Sequence, residues 1–215
     1  LQRMQLQLGA AAPPKAAAQS SHSTIRLLVL HSPSLSNDPG QMRDLIAATN
    51  AIYQQSGVHL TLEVAAYVPF TVTANNNSNA LNEITNSTEV AAIRETFGAD
   101  MVALLRPYDR TTHGGCGFAW IVDVDPSLLP DFTYRYAFSV SSVGNDGSSF
   151  CDDSIIAHEL GHNFGAVHER GNTSITPRLP YAYGWGFDGS FGTVMSYIRP
   201  GVDYFSTPDL DTCNG

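Results

Sequence analysis

Two histidines and one glutamate in the second half of this chain have the types and spacing of a metal site. His158 and His162 are one helical turn apart, so on a helix their Cβ atoms lie about 5–6 Å from each other and both imidazoles can bind one ion. Glu159 follows the first histidine and projects beside that ion, where its carboxylate can take a proton from water without occupying a coordination position. These residues predict a helix that binds zinc and activates water.

Gly165 and His168 complete this pattern. Glycine adopts the left-handed conformation of a helix C-terminus at little cost, so we expect the helix to end at Gly165. The turned chain can then bring His168 back as a third ligand, with the fourth position open for water and substrate. The competing interpretation is a structural zinc site, but such sites usually have four protein ligands and do not need a carboxylate beside the first histidine.

The stretch at residues 158–168 and a second segment at residues 192–197 resemble the metzincin clan of zinc endopeptidases. The resemblance implies that Zn2+ is the cofactor and that Glu159 is the general base of peptide-bond hydrolysis. It also implies that Met195 packs beneath the three histidines as an apolar floor and is not a ligand. By this resemblance the chain is a zinc metalloendopeptidase.

Tyr197 stands two residues after this methionine, as a tyrosine does in the astacin and serralysin branches of the clan. There the tyrosine reaches the metal or hydrogen-bonds the oxyanion, which makes Tyr197 a candidate catalytic residue; a packing role is the alternative. Glu169, directly after the third histidine, also matches astacins. Three other segments are more similar to bacterial peptidyl-Asp metalloendopeptidases and reprolysin-like proteases: residues 98–105, 115–119 and 204–206.

The hydrophobic pattern predicts a sheet of about five strands with helices packed on it. The resemblance to metzincins implies an α+β fold in which this sheet is twisted and mostly parallel, with an antiparallel edge strand. The predicted strands are residues 24–31, 58–68, 101–105, 116–122 (the edge strand) and 136–143. We expect one helix from Met42 to about Tyr53 to back the sheet, a second at residues 89–97, and the histidine helix from a cap at Asp153 or Ser154. Residues 71–79 are predicted to be a loop.

The chain is expected to contain one catalytic domain of two lobes. Residues 1–23 are predicted to be a flexible tail or the remnant of a pro-region, and residues 24–215 the metalloprotease domain. The upper lobe spans residues 24–165, and a small irregular lower lobe spans residues 166–215. By the resemblance to metzincins, the aromatic run at residues 181–187 lines the primary specificity pocket; the alternative is that it forms the core of the lower lobe.

Net charge and hydropathy limit the kinds of partner that this chain can bind. The net charge is −9, and the eleven Lys and Arg residues do not cluster, which argues against nucleic-acid binding. No stretch approaches the roughly 20 apolar residues of a membrane span. We expect a monomer that acts on protein or peptide substrates, and a protease directed at glycoproteins is one alternative. The competing class is a non-catalytic, zinc-containing binding module, although such a module has no chemical need for Glu159.

Three cysteines bear on the cellular compartment. A disulfide between Cys116 and Cys151 would tie the edge strand to the start of the histidine helix and place the protein in an oxidising compartment, secreted or periplasmic. Two buried thiols in a reducing cytosol are the alternative. Cys213 is then either free or paired outside this sequence. Acidic turns at residues 123–125 and 145–147 offer oxygen ligands for calcium but lack the full loop pattern.

Overall fold

The computed structural model describes residues 22–122, 134–177 and 179–208. The predicted tail up to residue 21, the acidic turn at residues 123–125 and Cys213 lie outside the described residues. The division into a tail and a catalytic domain therefore stays a prediction.

Five strands form the main sheet in the order β2-β1-β3-β5-β4. The strands are β1 (Ser23–His31), β2 (Leu60–Pro69), β3 (Met101–Pro107), β4 (Gly117–Ala119) and β5 (Phe138–Asn145). Strands β2, β1, β3 and β5 run parallel, and β4 runs antiparallel to β5 at the edge. A two-residue strand, β6 (Phe150–Cys151), also pairs with β5. The expected sheet is confirmed.

Helices cover both faces of this sheet. They are α1 (Pro39–Gln55), α2 (Asn77–Asn86), α3 (Thr88–Phe97) and α4 (Ile155–Asn163). On one face, Leu27 and Val29 of β1 share a core with residues of α1 and α4, and on the other Leu28 and Leu30 share a core with residues of α2 and α3. A strand buried on both faces has a continuous apolar run instead of an alternating one, which is why β1 is recognisable from sequence.

The prediction of a loop over residues 71–79 is wrong at its end, because α2 begins at Asn77. Asn76 caps this helix by accepting a hydrogen bond from the backbone N–H of Asn79. The helix is rich in asparagine, a weak helix former, but Leu81 and Ile84 are fully buried against the sheet. Tertiary burial therefore outweighs the local preference.

The edge strand is shorter than residues 116–122. Pairing to β5 ends after the backbone N–H of Trp120 donates to Phe138, and the N–H of Val122 then donates to the carbonyl of His162 in α4. The chain leaves the sheet there to contact the histidine helix. After residue 166, the described part of the chain has only the short strands β7 (Gly186–Phe187) and β8 (Phe191–Gly192), as expected for an irregular lobe.

A disulfide joins Cys116 and Cys151, as predicted, with Cα atoms 5.5 Å apart. Cys116 directly precedes β4, and Cys151 lies a few residues before α4, so the bond connects the edge strand to the entrance of the histidine helix. Among the described residues, no helix has the length and apolar character required to cross a bilayer.

Candidate active site

The C-terminus of α4 ends in a turn that positions the third histidine. Gly165 has φ +88°, its N–H donates to the carbonyl of His162, and the N–H of Ala166 donates to the carbonyl of Gly161. These two bonds form a Schellman motif, which requires a left-handed residue at Gly165. A Cβ on Gly165 would also lie 3.0 Å from the carbonyl oxygen of Val122. Glycine is therefore needed here for its conformation and for the close approach of the segment after β4.

Three imidazoles converge next to this turn. The Nε2 atom of His168 lies 3.2 Å from Nε2 of His158 and 3.1 Å from Nε2 of His162. Ligands about 2.0–2.1 Å from a tetrahedral zinc ion are about 3.3 Å from each other, so both separations from His168 match such a site. All three potential ligand atoms lie within 4.8 Å of one another. Among the described residues they form a cluster of potential metal ligands. The chemistry and geometry of the three nitrogens fit zinc.

The other ring nitrogens hold the imidazoles in the orientation needed for metal binding. Nδ1 of His158 lies 2.6 Å from the carbonyl oxygen of Val194, and Nδ1 of His162 lies 2.9 Å from that of Ala166. A carbonyl oxygen only accepts, so each Nδ1 carries the proton and each Nε2 is left with a lone pair for a metal. One carbonyl belongs to the turn after α4 and the other to the residue before Met195. Sequence spacing does not reveal either partner.

Burial also keeps these rings neutral. It lowers the pKa of His158 to about 4 and that of His162 to about 3, because a charged imidazolium loses its hydration inside the protein. The pKa of His168 is lowered for the same reason. Metal binding requires the neutral form, so at pH 7 all three histidines are ready to act as ligands.

Glu159 is 3% exposed and lies between α4 and the edge strand. Burial raises its pKa well above the ordinary value, and a divalent cation at the histidines would oppose that rise because it stabilises the carboxylate. The position depends on Gly117 of β4, since a Cβ there would lie 2.3 Å from Oε1 of Glu159 and 2.5 Å from its Cδ. Gly117 thus leaves the space that the carboxyl group occupies.

Tyr197 lies on the solvent side of the histidines. Its ring centroid is 4.2 Å from that of His168 and 6.2 Å from that of His158, and the residue is 57% exposed. Its pKa is raised, first by burial and then by the nearby carboxyl groups of Glu159 and Glu169, so the hydroxyl keeps its proton and can donate a hydrogen bond. Glu169 accepts a hydrogen bond from the backbone N–H of Tyr197 at 3.1 Å. This bond links the residue after the third histidine to the segment that carries the tyrosine.

Two other sequence expectations have different outcomes. Met195 is 2% exposed and packs against α4, where a Cβ on Gly161 would lie 2.6 Å from its Sδ atom. Its predicted place beneath the rings stays a prediction. In the aromatic run, Trp185 and Phe187 are 53% and 60% exposed, so they are not a buried core, and they are not among the described residues that line the cleft described next.

The histidines open into a cleft of about 760 Å³. Its upper rim includes β4, and its lower rim includes residues 192–203. On either side of β4, the carbonyl of Cys116 and the backbone N–H of Trp120 pair with β5, so the alternation of an antiparallel ladder turns the N–H and C=O groups of Gly117 and Ala119 away from β5. Within the described part of the chain, the cleft is therefore bordered by a strand edge whose outward N–H and C=O groups do not pair with the sheet.

The three neutral Nε2 atoms of the histidines form a metal-binding site. A carboxylate beside such a site that is not a ligand, as Glu159 is here, is typical of metal sites that hydrolyse substrates. With the mostly parallel sheet and its antiparallel edge, the chain has the fold and site of a zinc-dependent metallopeptidase of the metzincin clan. Its sequence matches the family described as metallo-peptidase family M12B, reprolysin-like, over residues 30–215. The chain belongs to this family.

Individual relatives agree with this assignment. Over 226 residues the chain is 26% identical to a peptidyl-Asp metalloendopeptidase of Pseudomonas aeruginosa, and over 209 residues it is 24% identical to one of Xanthomonas campestris pv. campestris. Each alignment covers 90% of this chain but only 36% and 46% of the respective relatives. A solved structure described as a chaperone-substrate complex is similar in fold, with a TM-score of 0.66 and 23% identity over 88% of this chain and 30% of that chain.

Proposed function

We propose that this domain hydrolyses peptide bonds with zinc held by His158, His162 and His168, with Glu159 as general base and with Tyr197 as an oxyanion donor. The observation that carries the proposal is the convergence of three Nε2 atoms, 3.1 and 3.2 Å apart, beside a buried carboxylate that is not one of them. A structural zinc site would more often close the ligand set with a fourth side chain.

Zinc, when bound, lowers the pKa of water to about 7 and polarises the scissile carbonyl. Glu159 accepts the proton of the attacking water and passes it to the leaving amine, so no covalent bond forms between enzyme and substrate. Tyr197 donates its hydroxyl proton in a hydrogen bond to the oxygen that becomes negative in the transition state. Burial of Glu159 excludes bulk water from the carboxylate and strengthens its interaction with the attacking water.

The free edge of β4 supports binding of an extended substrate. Gly117 and Ala119 present backbone N–H and C=O groups to the cleft, so a peptide can add to the sheet as a further strand. Main-chain pairing of this kind holds the peptide largely independently of its side chains. Gly117 then has two roles, because the same residue gives room to the Glu159 carboxyl group.

The substrates are proposed to be extracellular proteins that are cut beside acidic residues. The Cys116–Cys151 disulfide supports an oxidising compartment, outside the cytosol. Both curated relatives are named peptidyl-Asp metalloendopeptidases, which supports a preference for aspartate next to the scissile bond. Activity on glycoproteins is part of the same proposal, because pairing to the strand edge would hold the main chain of a peptide largely independently of its side chains.

Digestion with and without a zinc chelator tests this function against a binding role. We expect the zinc-loaded protein to cut a denatured protein into defined fragments and the chelated protein to cut nothing, because the proposed chemistry requires the metal. A mucin-type glycoprotein is incubated in parallel, and the fragments are identified by mass spectrometry. Fragments from the glycoprotein alone would show a glycan-dependent protease. Intact substrates in all zinc-containing samples would favour the non-catalytic binding module.

Replacement of Tyr197 by phenylalanine tests the oxyanion donor. We expect kcat to fall about 10²- to 10³-fold with little change in KM, because the hydroxyl acts mainly in the transition state. Steady-state kinetics on a fluorogenic peptide measure this split. Tyr67→Phe, on β2 away from the cleft, is the matched control. If Tyr197→Phe keeps the wild-type kcat, the residue has only a packing role.

A further inference from the structure

Arg199 holds a guanidinium group at the cleft, on the lower lobe. Among the described residues that line the cleft it is the only Lys or Arg, beside the acidic Asp152, Asp153, Glu159 and Asp203. Its Nη1 atom lies 2.5 Å from Oδ2 of Asp152, with side chains that are 65% and 34% exposed respectively. Asp152 precedes α4 in the upper lobe, so this ion pair crosses the cleft.

The local backbone holds Arg199 in this position. The carbonyl of Arg199 accepts a hydrogen bond from the N–H of Gly189, and the carbonyl of Pro200 accepts one from the N–H of Gly192. The guanidinium lies over Gly201, where a Cβ would be 2.8 Å from Nη1 of Arg199. A glycine at this position leaves room for the guanidinium group at the cleft, so the arrangement is built by the surrounding chain and does not depend on the ion pair alone.

We infer that Arg199 receives an acidic side chain of the substrate and so determines specificity at the site of the proposed peptide hydrolysis. This inference rests on the proposed function. A guanidinium offers five donors in a planar fork that matches a carboxylate. In the described part of the chain only Nη1 of Arg199 has a hydrogen-bond partner, Asp152, so Nη2 and Nε remain for an incoming carboxylate.

Release of Asp152 is also inexpensive. Exposed ion pairs contribute little to stability, so a substrate carboxylate can share the guanidinium with Asp152 or replace it.

Arg199 is also close to the metal site. Burial is the main cause of the lowered pKa of His158, and the positive charge of Arg199 lowers that pKa further. The nearby Asp153 and Asp203 would instead attract a basic side chain of the substrate. The experiment below distinguishes a preference for acidic side chains from a preference for basic ones.

Matched peptides that differ at one position are the test. Each position flanking the scissile bond carries Asp, Asn or Lys in turn, and kcat/KM is measured with the zinc-loaded protein. We expect one position at which Asp exceeds Asn by about tenfold or more, the range of a charge-assisted hydrogen bond. Arg199→Gln should reduce this preference to within about threefold, and Arg199→Lys should keep part of it because an ammonium lacks the fork.

Asp152→Asn serves as the complementary variant, because it removes the competing carboxylate but leaves the guanidinium. We expect it to increase the Asp-to-Asn ratio, and we expect added salt to lower the ratio in the wild type. Zinc content and thermal unfolding confirm that each variant is folded. The inference is overturned if no position prefers Asp, if Lys is preferred, or if the preference survives in Arg199→Gln.

A binding measurement separates this inference from the proposed function. Labelled Asp and Asn peptides are titrated into the zinc-loaded Glu159→Ala protein, with and without Arg199→Gln. If the wild type cuts no peptide, the proposed hydrolysis fails, yet tighter binding of the Asp peptide that is lost with Arg199→Gln still supports the role of Arg199. Equal binding of both peptides refutes it.

Discussion

Glu159→Gln should lower kcat about 10²- to 10⁴-fold while one zinc ion per chain stays bound. The substitution keeps the size of the side chain but removes the group that accepts the proton of water. Metal binding should survive, because the three Nε2 atoms of the histidine cluster do not include Glu159. Steady-state kinetics on a fluorogenic peptide and elemental analysis of the purified protein measure the two effects separately.

Two further variants sharpen this prediction. Glu63→Gln, an exposed substitution on β2, should leave kcat at the wild-type value. Gly117→Ala keeps the carboxylate but forces it to move, because the new Cβ would lie 2.3 Å from Oε1 of Glu159. We expect it to lower kcat with zinc retained, because the new Cβ also meets Cγ of this buried side chain at 2.6 Å and the carboxylate must shift. Thermal unfolding of the variant checks that it is folded. A zinc-loaded Glu159→Gln protein with wild-type turnover would refute the base assignment.

The histidine helix is the part of the site that sequence predicts best, because its determinants are local. The spacing of His158 and His162 requires a helix, and Gly165 marks its end through a backbone conformation that favours glycine. Strands β1 and β3 are predictable for a related reason, since strands buried on both faces give continuous apolar runs.

Features that depend on distant residues are not predictable in this way. Nothing in the order of residues reveals that the carbonyl of Val194 fixes the tautomer of His158, or that Gly117 makes room for Glu159. The asparagine-rich helix α2 is missed because its stability comes from burial of Leu81 and Ile84 against the sheet. Local preference and tertiary packing disagree there, and packing decides.

The Cys116–Cys151 disulfide shows how both kinds of information combine. Sequence suggests the pair because one cysteine begins the predicted edge strand and the other lies just before the histidine helix. The fold adds the reason: β4 and β6 both pair with β5, which brings the two Cα atoms to 5.5 Å. The bond thus joins the strand that is proposed to bind substrate to the entrance of the helix that is proposed to bind zinc.

His162→Ala should abolish both zinc binding and hydrolysis. The residue is 5% exposed and its Nε2 lies 3.1 Å from that of His168, so its loss removes one of three ligands and leaves an incomplete site. Two imidazoles from His158 and His168 are too few to hold zinc in the manner of catalytic sites, which have three protein ligands. We expect less than one zinc per ten chains after dialysis and no peptide cleavage above the level of the chelated wild type.

Thermal unfolding gives a readout of the same variant that does not depend on activity. A ligand that binds only the folded state stabilises it by about 4 kcal/mol at 1,000 times its Kd, so added zinc should raise the Tm of the wild-type apoprotein clearly. The Tm of His162→Ala should not respond to zinc, whereas that of His59→Ala should respond fully, because His59 is exposed and outside the cluster. A stoichiometric zinc content or a zinc-dependent Tm in His162→Ala would mean that the metal is held by other residues, and the proposed hydrolysis would lose its geometric basis.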